Sequence, residues 1–185
     1  MPDDETKPQL ETATFAGGCF WCTEAVFQRL RGVDKVVSGY SGGSVIEPSY
    51  HQVSSGATGH AEAVQVTFDP SVISFEQLLE VFFELHDPTT PDRQGYDVGT
   101  QYRSAIYYHD EAQKQTIDRV IAEINAKGTY RDKIVTEVAP FQAFYSAEDY
   151  HQNFYNQNKS YPYCEIIINP KIEKLYKKFG ALADS

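Results

Sequence analysis

Apolar and polar positions along the chain follow two periods. Ala61 to Phe68 is the clearest strand, with Glu62, Val64, Val66 and Phe68 on one face by a period of two. Glu11 to Phe15 reads as a shorter strand running into Gly17-Gly18, and Val33–Gly39, Arg103–Tyr108 and Ile134–Val138 read as three more. Between them the period lengthens. From Cys19 to Leu30 the apolar positions Phe20, Phe27 and Leu30 predict a helix that Gly32 ends. Ser74-Phe75-Glu76-Gln77 is a capping-box start, in which the Ser and Gln side chains each satisfy a free backbone N–H, for a helix to about His86. Asp110 opens a helix carrying Ile117, Val120, Ile121 and Ile124 that stops near Gly128. Ala147 to about Asn156 predicts a short helix, and Lys171–Phe179 a basic one. Tyr40–Gly59 and Pro88–Gly99 read as polar loops, and loops of this length often carry function. Tyr161–Pro170 reads as irregular, with an Ile-rich run.

The order β-α-β-β-α-β, then α-β and a tail, predicts an α+β fold of the ferredoxin-like split βαβ kind. That is a two-layer sandwich with a mostly antiparallel sheet, added helices and an irregular C-terminal segment. Residues 1–10 read as a solvated tail and 11–185 as a single domain. A chain of 185 residues buries one core and is short for two. The net charge of −10 disfavours nucleic acid, whose binding rests on Lys and Arg against phosphates. No apolar run approaches the ~20 residues of a membrane helix. The start Met1-Pro2-Asp3-Asp4-Glu5 lacks the basic and apolar stretches of a signal peptide, so a cytoplasmic location is expected. The three cysteines are an odd number, which points to reduced thiols with redox, metal or catalytic roles.

Gly17-Gly18-Cys19-Phe20-Trp21-Cys22 places Cys19 at the mouth of a predicted helix, where free N–H groups and the helix dipole favour an anion. A thiol there moves toward the nucleophilic thiolate. Cys22 completes a C-x-x-C pair, a redox spacing; no second pair follows and the five His lack ligand spacing, so no metal is expected. Glu62, at the end of an apolar strand face, is expected to be partly desolvated, which raises its pKa and suits it to general-acid work; the spacing alone fits a solvated Glu beyond the core edge equally well. Asp97 and Tyr102, in the polar loop before Arg103, are placed to orient a substrate, although the residues alone favour a turn Asp and a packed Tyr. Cys164, after the irregular segment, suits a resolving thiol as well as it suits a small buried residue. His60 and His151 read as structural hydrogen-bonders.

Gly17-Gly18-Cys19-Phe20-Trp21, Gly39-Tyr40-Ser41-Gly42-Gly43, Gly59-His60-Ala61-Glu62, His86-Asp87-Pro88 and Gly99-Thr100-Gln101-Tyr102-Arg103-Ser104 occur in this order. Together they resemble the A-type peptide methionine sulfoxide reductases, from about Thr14 to Pro170. The resemblance implies reduction of methionine-S-sulfoxide, free or in proteins, within one catalytic domain over 11–185. It implies that Cys19 attacks the sulfoxide sulfur and Glu62 protonates the oxygen. Tyr50 and Tyr102 hold that oxygen, Asp97 joins the hydrogen-bond network, Phe20 and Trp21 grip the methyl group, and Tyr163 lines the pocket. No prosthetic cofactor is implied. An external dithiol, thioredoxin or dithiothreitol in vitro, restores the enzyme, and the protein is expected to be a monomer. Many members have Gly where this chain has Cys22, and Asn where it has Tyr96. The partner that resolves the Cys19 sulfenic acid is therefore open: closing C-x-x-C strains a helical first turn, which favours Cys164, with Cys22 or a relay as alternatives. The rival reading from the residues alone is a C-x-x-C thiol-disulfide oxidoreductase indifferent to Glu62.

Overall fold

A computed structural model describes residues 7–184. Of the tail expected over 1–10, residues 7–10 are exposed and without regular structure, and 1–6 lie outside the described residues. Strand β1 (Glu11–Gly17) leads into helix α1 (Phe20–Phe27) and then β2 (Val33–Ser41). A short α2 (Tyr50–Ser54) interrupts the first long loop, ahead of β3 (Ala61–Phe68) and helix α3 (Phe75–Leu85). A small hairpin of β4 (Arg93–Gln94) and β5 (Asp97–Val98) interrupts the second loop, ahead of β6 (Ser104–Tyr108). Helix α4 (Glu111–Lys127), strands β7 (Glu137–Pro140) and β8 (Phe144–Ser146), and helices α5 (Phe154–Gln157) and α6 (Asn169–Phe179) complete the described chain.

Among the described residues, six strands form one sheet in the order β7-β6-β1-β3-β2-β8. The central four, β6-β1-β3-β2, are the split βαβ arrangement, all antiparallel to their neighbours; only β6 and β7 pair in parallel. The period of two in β3 divides the sheet. Val64, Val66 and Phe68 join Phe15, Phe27 and Phe82 in the main core, where α1 and α3 pack. Phe15 stacks between Phe27 and Phe82, each 5.1 Å away between ring centres. Fully burying a ring of that size is worth about 2–3 kcal/mol. The other face carries Ala16, Ala61, Ala63 and Ala105, small residues that let Phe141 and Phe144 cover it closely.

Four expectations change in detail. The strand read at Ile134–Val138 forms at Glu137–Pro140. The helix read over Ala147–Asn156 is a 3-10 turn at Asp149–His151 followed by the four-residue α5. The loop from Tyr40 contains α2, capped by Ser49 and Gln52 in a full capping box. The segment expected to be irregular is helical, with an i→i+5 turn over Cys164–Ile168 feeding α6. Its Ile-rich run packs on α1 through Ile168, which outweighs the weak helix preference of β-branched residues.

Candidate active site

β1 delivers the chain to Gly18, whose φ of +90° turns it into α1. A Cβ at Gly18 would lie 2.6 Å from Gln94 Cγ, so the close approach also demands glycine. Cys19 follows as the N-cap of α1, with φ −56° and ψ 125° and no side chain capping the helix. Its neighbour Phe20 donates its backbone N–H to Glu62 Oε1 at 3.2 Å. Glu62 is the second residue of β3 and pairs across the sheet with Tyr40 of β2. It points at the start of α1 because it shares the face of Val64 and Val66, and it is 2 % exposed.

That burial sets the electrostatics. Desolvation pushes the Glu62 carboxyl up to about 8, helped by the charges of Asp97 and Cys22 and opposed by the Phe20 N–H. The Cys19 thiol also rises, through burial first, then its hydrogen bond to Cys22 and the Glu62 carboxylate. The helix start alone predicts the opposite direction. Here dipole stabilisation is outweighed by loss of water and by a carboxylate next door. Cys22 moves down, because Cys19 donates to it, with Lys171 and Tyr163 adding to the effect. Of the two thiols, Cys22 is therefore the one that ionises first.

Cys22 continues into a chain of polar contacts. Its sulfur lies 3.6 Å from the Tyr163 hydroxyl, which donates to Asp97 Oδ2 at 2.8 Å. Asp97 stands on β5, so the hairpin in the second loop carries it to the thiols. A cleft of about 490 Å³ opens over Cys19, Cys22, Asp97 and Tyr163, with Tyr96 and Ile166 at its rim. Tyr50, the first residue of α2, and Tyr102, in a 3-10 turn ahead of β6, both sit in the field of Glu62 and Cys19. Desolvation and those charges raise both phenols, so each remains a hydroxyl donor. Phe20 is buried against Tyr40 and His151, and Trp21 is half-buried beside Tyr163, the Trp21 and Tyr163 rings 5.9 Å apart and near perpendicular.

Cys164 is fully buried at the head of the i→i+5 turn and clusters with Cys22, Ala25 and Ile168; Cys19 packs on the same cluster. Every catalytic and substrate-binding candidate read from the sequence thus lies at or against one site. His60 braces the loop from β2: Nδ1 accepts from the Gly43 N–H at 3.0 Å, and Nε2 pairs with the Val45 carbonyl at 2.7 Å. Two carboxylates behind the site had no role in the sequence reading. Glu148 accepts from the Tyr40 hydroxyl at 2.9 Å and from the Tyr50 N–H at 3.1 Å. Glu24, 1 % exposed within α1, is pushed up to about 7 by burial, against the backbone N–H groups of Asn153 and Phe154. A carboxylate amid the apolar run of α1 was a visible signal for Glu24; Glu148 had none.

A largely buried thiol paired with a second thiol, facing a buried carboxyl, defines a thiol-dependent redox site on a ferredoxin-like sheet. Sequence and structure comparisons make that class specific. Residues 11–182 match the family model described as peptide methionine sulfoxide reductase. A peptide methionine sulfoxide reductase MsrA of Sulfolobus acidocaldarius is 58% identical over 170 residues, covering 92% of this chain and 96% of that one. Reduced Mxr1 from Saccharomyces cerevisiae superposes with a TM-score of 0.77 at 35% identity, over 84% of this chain and 90% of its own. Mxr1 in complex with Trx2 matches at a TM-score of 0.55 and 26% identity, over 82% and 91%. The chain belongs to the peptide methionine sulfoxide reductases of the A type, oxidoreductases acting on methionine sulfoxide.

Proposed function

We propose that the single domain over 11–185 reduces methionine-S-sulfoxide by transferring the sulfoxide oxygen to Cys19. The observation that carries this reading is the buried Glu62 carboxyl, which keeps its proton to about pH 8 beside the N-cap thiol. Breaking the S–O bond requires that the oxygen be protonated as it leaves sulfur, and a dry carboxylic acid supplies that proton at the moment of need. Tyr50 and Tyr102 donate to the same oxygen, and Phe20 and Trp21 provide the apolar wall for the methyl group. Cys19 gives up its proton as it attacks. The thiol of Cys19 and the substrate sulfoxide thus become a sulfenic acid on Cys19 and a free thioether. The substrate sulfur gains two electrons, and the Cys19 sulfur loses them.

Cys22 then attacks the Cys19 sulfenic acid, forming a disulfide and releasing water. Its contact with Cys19 and its lowered pKa favour it as first resolver over Cys164, the choice the sequence geometry preferred. Cys164, packed on Cys22, exchanges next and leaves Cys19 reduced for a further turnover. A thioredoxin-like dithiol supplies two electrons and two protons to finish the cycle. The Mxr1–Trx2 complex supports that partner.

The test mixes fully reduced protein with excess methionine-S-sulfoxide and no reductant. About one methionine per chain, with a Cys19–Cys22 or Cys22–Cys164 bond by mass spectrometry, is expected. Cys19–Cys164 alone would overturn the order of resolution but keep the reductase. No methionine would overturn the reading and leave a thiol-disulfide oxidoreductase.

A further inference from the structure

Trp21 is the single tryptophan of the chain. Its indole N–H donates to Nδ1 of His151 at 3.1 Å. A neutral imidazole that accepts at Nδ1 carries its proton on Nε2. That Nε2 is buried and has no hydrogen-bond partner. A tautomer is ordinarily fixed by whatever its N–H donates to; here the demand of the indole for an acceptor fixes it. The same ring lies 4.4 Å from Tyr50 and 5.1 Å from Phe20 between ring centres. One imidazole, 1 % exposed, therefore touches both apolar walls and one of the oxygen-holding phenols.

The segment that carries His151 is pinned on both sides. Gln152 donates to the carbonyls of Ser38 and Ala147 and accepts from the Ser38 N–H, replacing a strand residue at the end of β8. Two residues on, Phe154 stacks on Trp21 at 3.7 Å and 6°. Glu24 holds the N–H groups that start α5. Trp21 is thus clamped between a stacked phenyl ring and a hydrogen-bonded imidazole, neither free to shift.

We infer that His151 is a positioning residue for substrate binding, whose Nδ1 lone pair locks the Trp21 indole in the orientation that grips the methyl group. It touches neither the reacting sulfur nor the thiols, so its loss weakens capture of substrate and leaves the chemical step. The inference rests on the proposed role of Trp21, and its test separates the two.

His151→Phe keeps a ring and removes the acceptor; His151→Asn keeps an acceptor atom at the δ position; His151→Gln moves it outward. Because there is one tryptophan, ¹⁵N-labelled protein shows one indole N–H resonance, which reports the hydrogen bond directly. His151→Phe is expected to shift that resonance upfield. It should raise the KM for methionine-S-sulfoxide about tenfold while the saturating single-turnover rate falls by less than about twofold, and His151→Asn should restore both readings. An unmoved indole resonance in His151→Phe, or a fall in saturating rate with KM unchanged, overturns the inference. If the Phe variant does not fold, a resonance and KM that fail to separate Asn from Gln overturn it instead. An indole shift that follows the acceptor with no change in KM keeps the clamp but removes Trp21 from the methyl site. Absence of methionine formation by the wild type refutes the reductase reading and leaves the indole measurement to judge the clamp.

Discussion

Glu62→Gln separates the cost of the buried acid from its use. The carboxyl rises from 4.5 to about 8 on folding. Between those values the folded protein holds a proton that the unfolded chain releases, so stability falls as pH rises through the window, by about 1.4 kcal/mol per unit. Gln keeps an acceptor for the Phe20 N–H and never ionises. Its amide N–H2 is a fixed cost of about 1–3 kcal/mol that does not vary with pH. Relative to wild type, Glu62→Gln should therefore gain about 3–4 kcal/mol between pH 5 and pH 8, neutral or destabilising at the acid end and stabilising at the other. Urea unfolding of the reduced proteins at pH 5, 6, 7 and 8 reads this. Single turnover at pH 7 reads the use: loss of a general acid costs about 10²–10⁴-fold, and the alkaline limb near the wild-type acid should vanish. Stability curves that run parallel across pH refute the burial argument, and an unchanged single-turnover rate refutes the acid.

His86 works in the opposite sense. Desolvation lowers it to about 4, so wild type loses stability as pH falls from 6.5; His86→Gln should flatten that acid slope by about 2 kcal/mol between pH 6.5 and 5 in the same urea series. Tyr163→Phe removes the hydroxyl between Asp97 and Cys22. With Cys19→Ser and Cys164→Ser leaving Cys22 as the sole thiol, the pH midpoint of iodoacetamide alkylation should rise, and an unmoved midpoint would discount the contact. Gly43→Ala drives a methyl to 2.4 Å from the His60 backbone N and 2.5 Å from the Thr58 carbonyl oxygen. It should cost about 2–3 kcal/mol by thermal melt, with a melt like wild type showing that the loop yields freely.

What the chain discloses by itself depends on how far apart the partners lie. Glu62 was legible because the period of two in β3 assigns its face and the glycines before Cys19 assign the helix start. Ser74 and Gln77 were legible as a capping box. Ser49 and Gln52 carry the same signal, yet α2 buries only Val53, so no apolar period followed to draw attention to it. β8 is three residues long and shows no period at all. The Ile-rich run after Cys164 gives no hint of an i→i+5 turn, which is decided by packing on α1. Glu148 meets the Tyr50 N–H across 98 positions of sequence, and His151 meets Trp21 across 130, distances at which pattern says nothing. The direction of the Cys19 shift failed for a related reason: the helix start is local, whereas the carboxylate and the burial that outweigh it arrive from β3 and the C-terminal segment.

The sheet ends in two short strands, β8 of three residues and β7 of four, the latter closing on Pro140. Proline offers no N–H, and a short border presents few unpaired backbone groups to another polypeptide. An extended client chain gains little by adding itself as a further strand. On the proposed function, recognition of a methionine sulfoxide carried by a protein falls to the cleft over Cys19 and to the oxidised side chain within it.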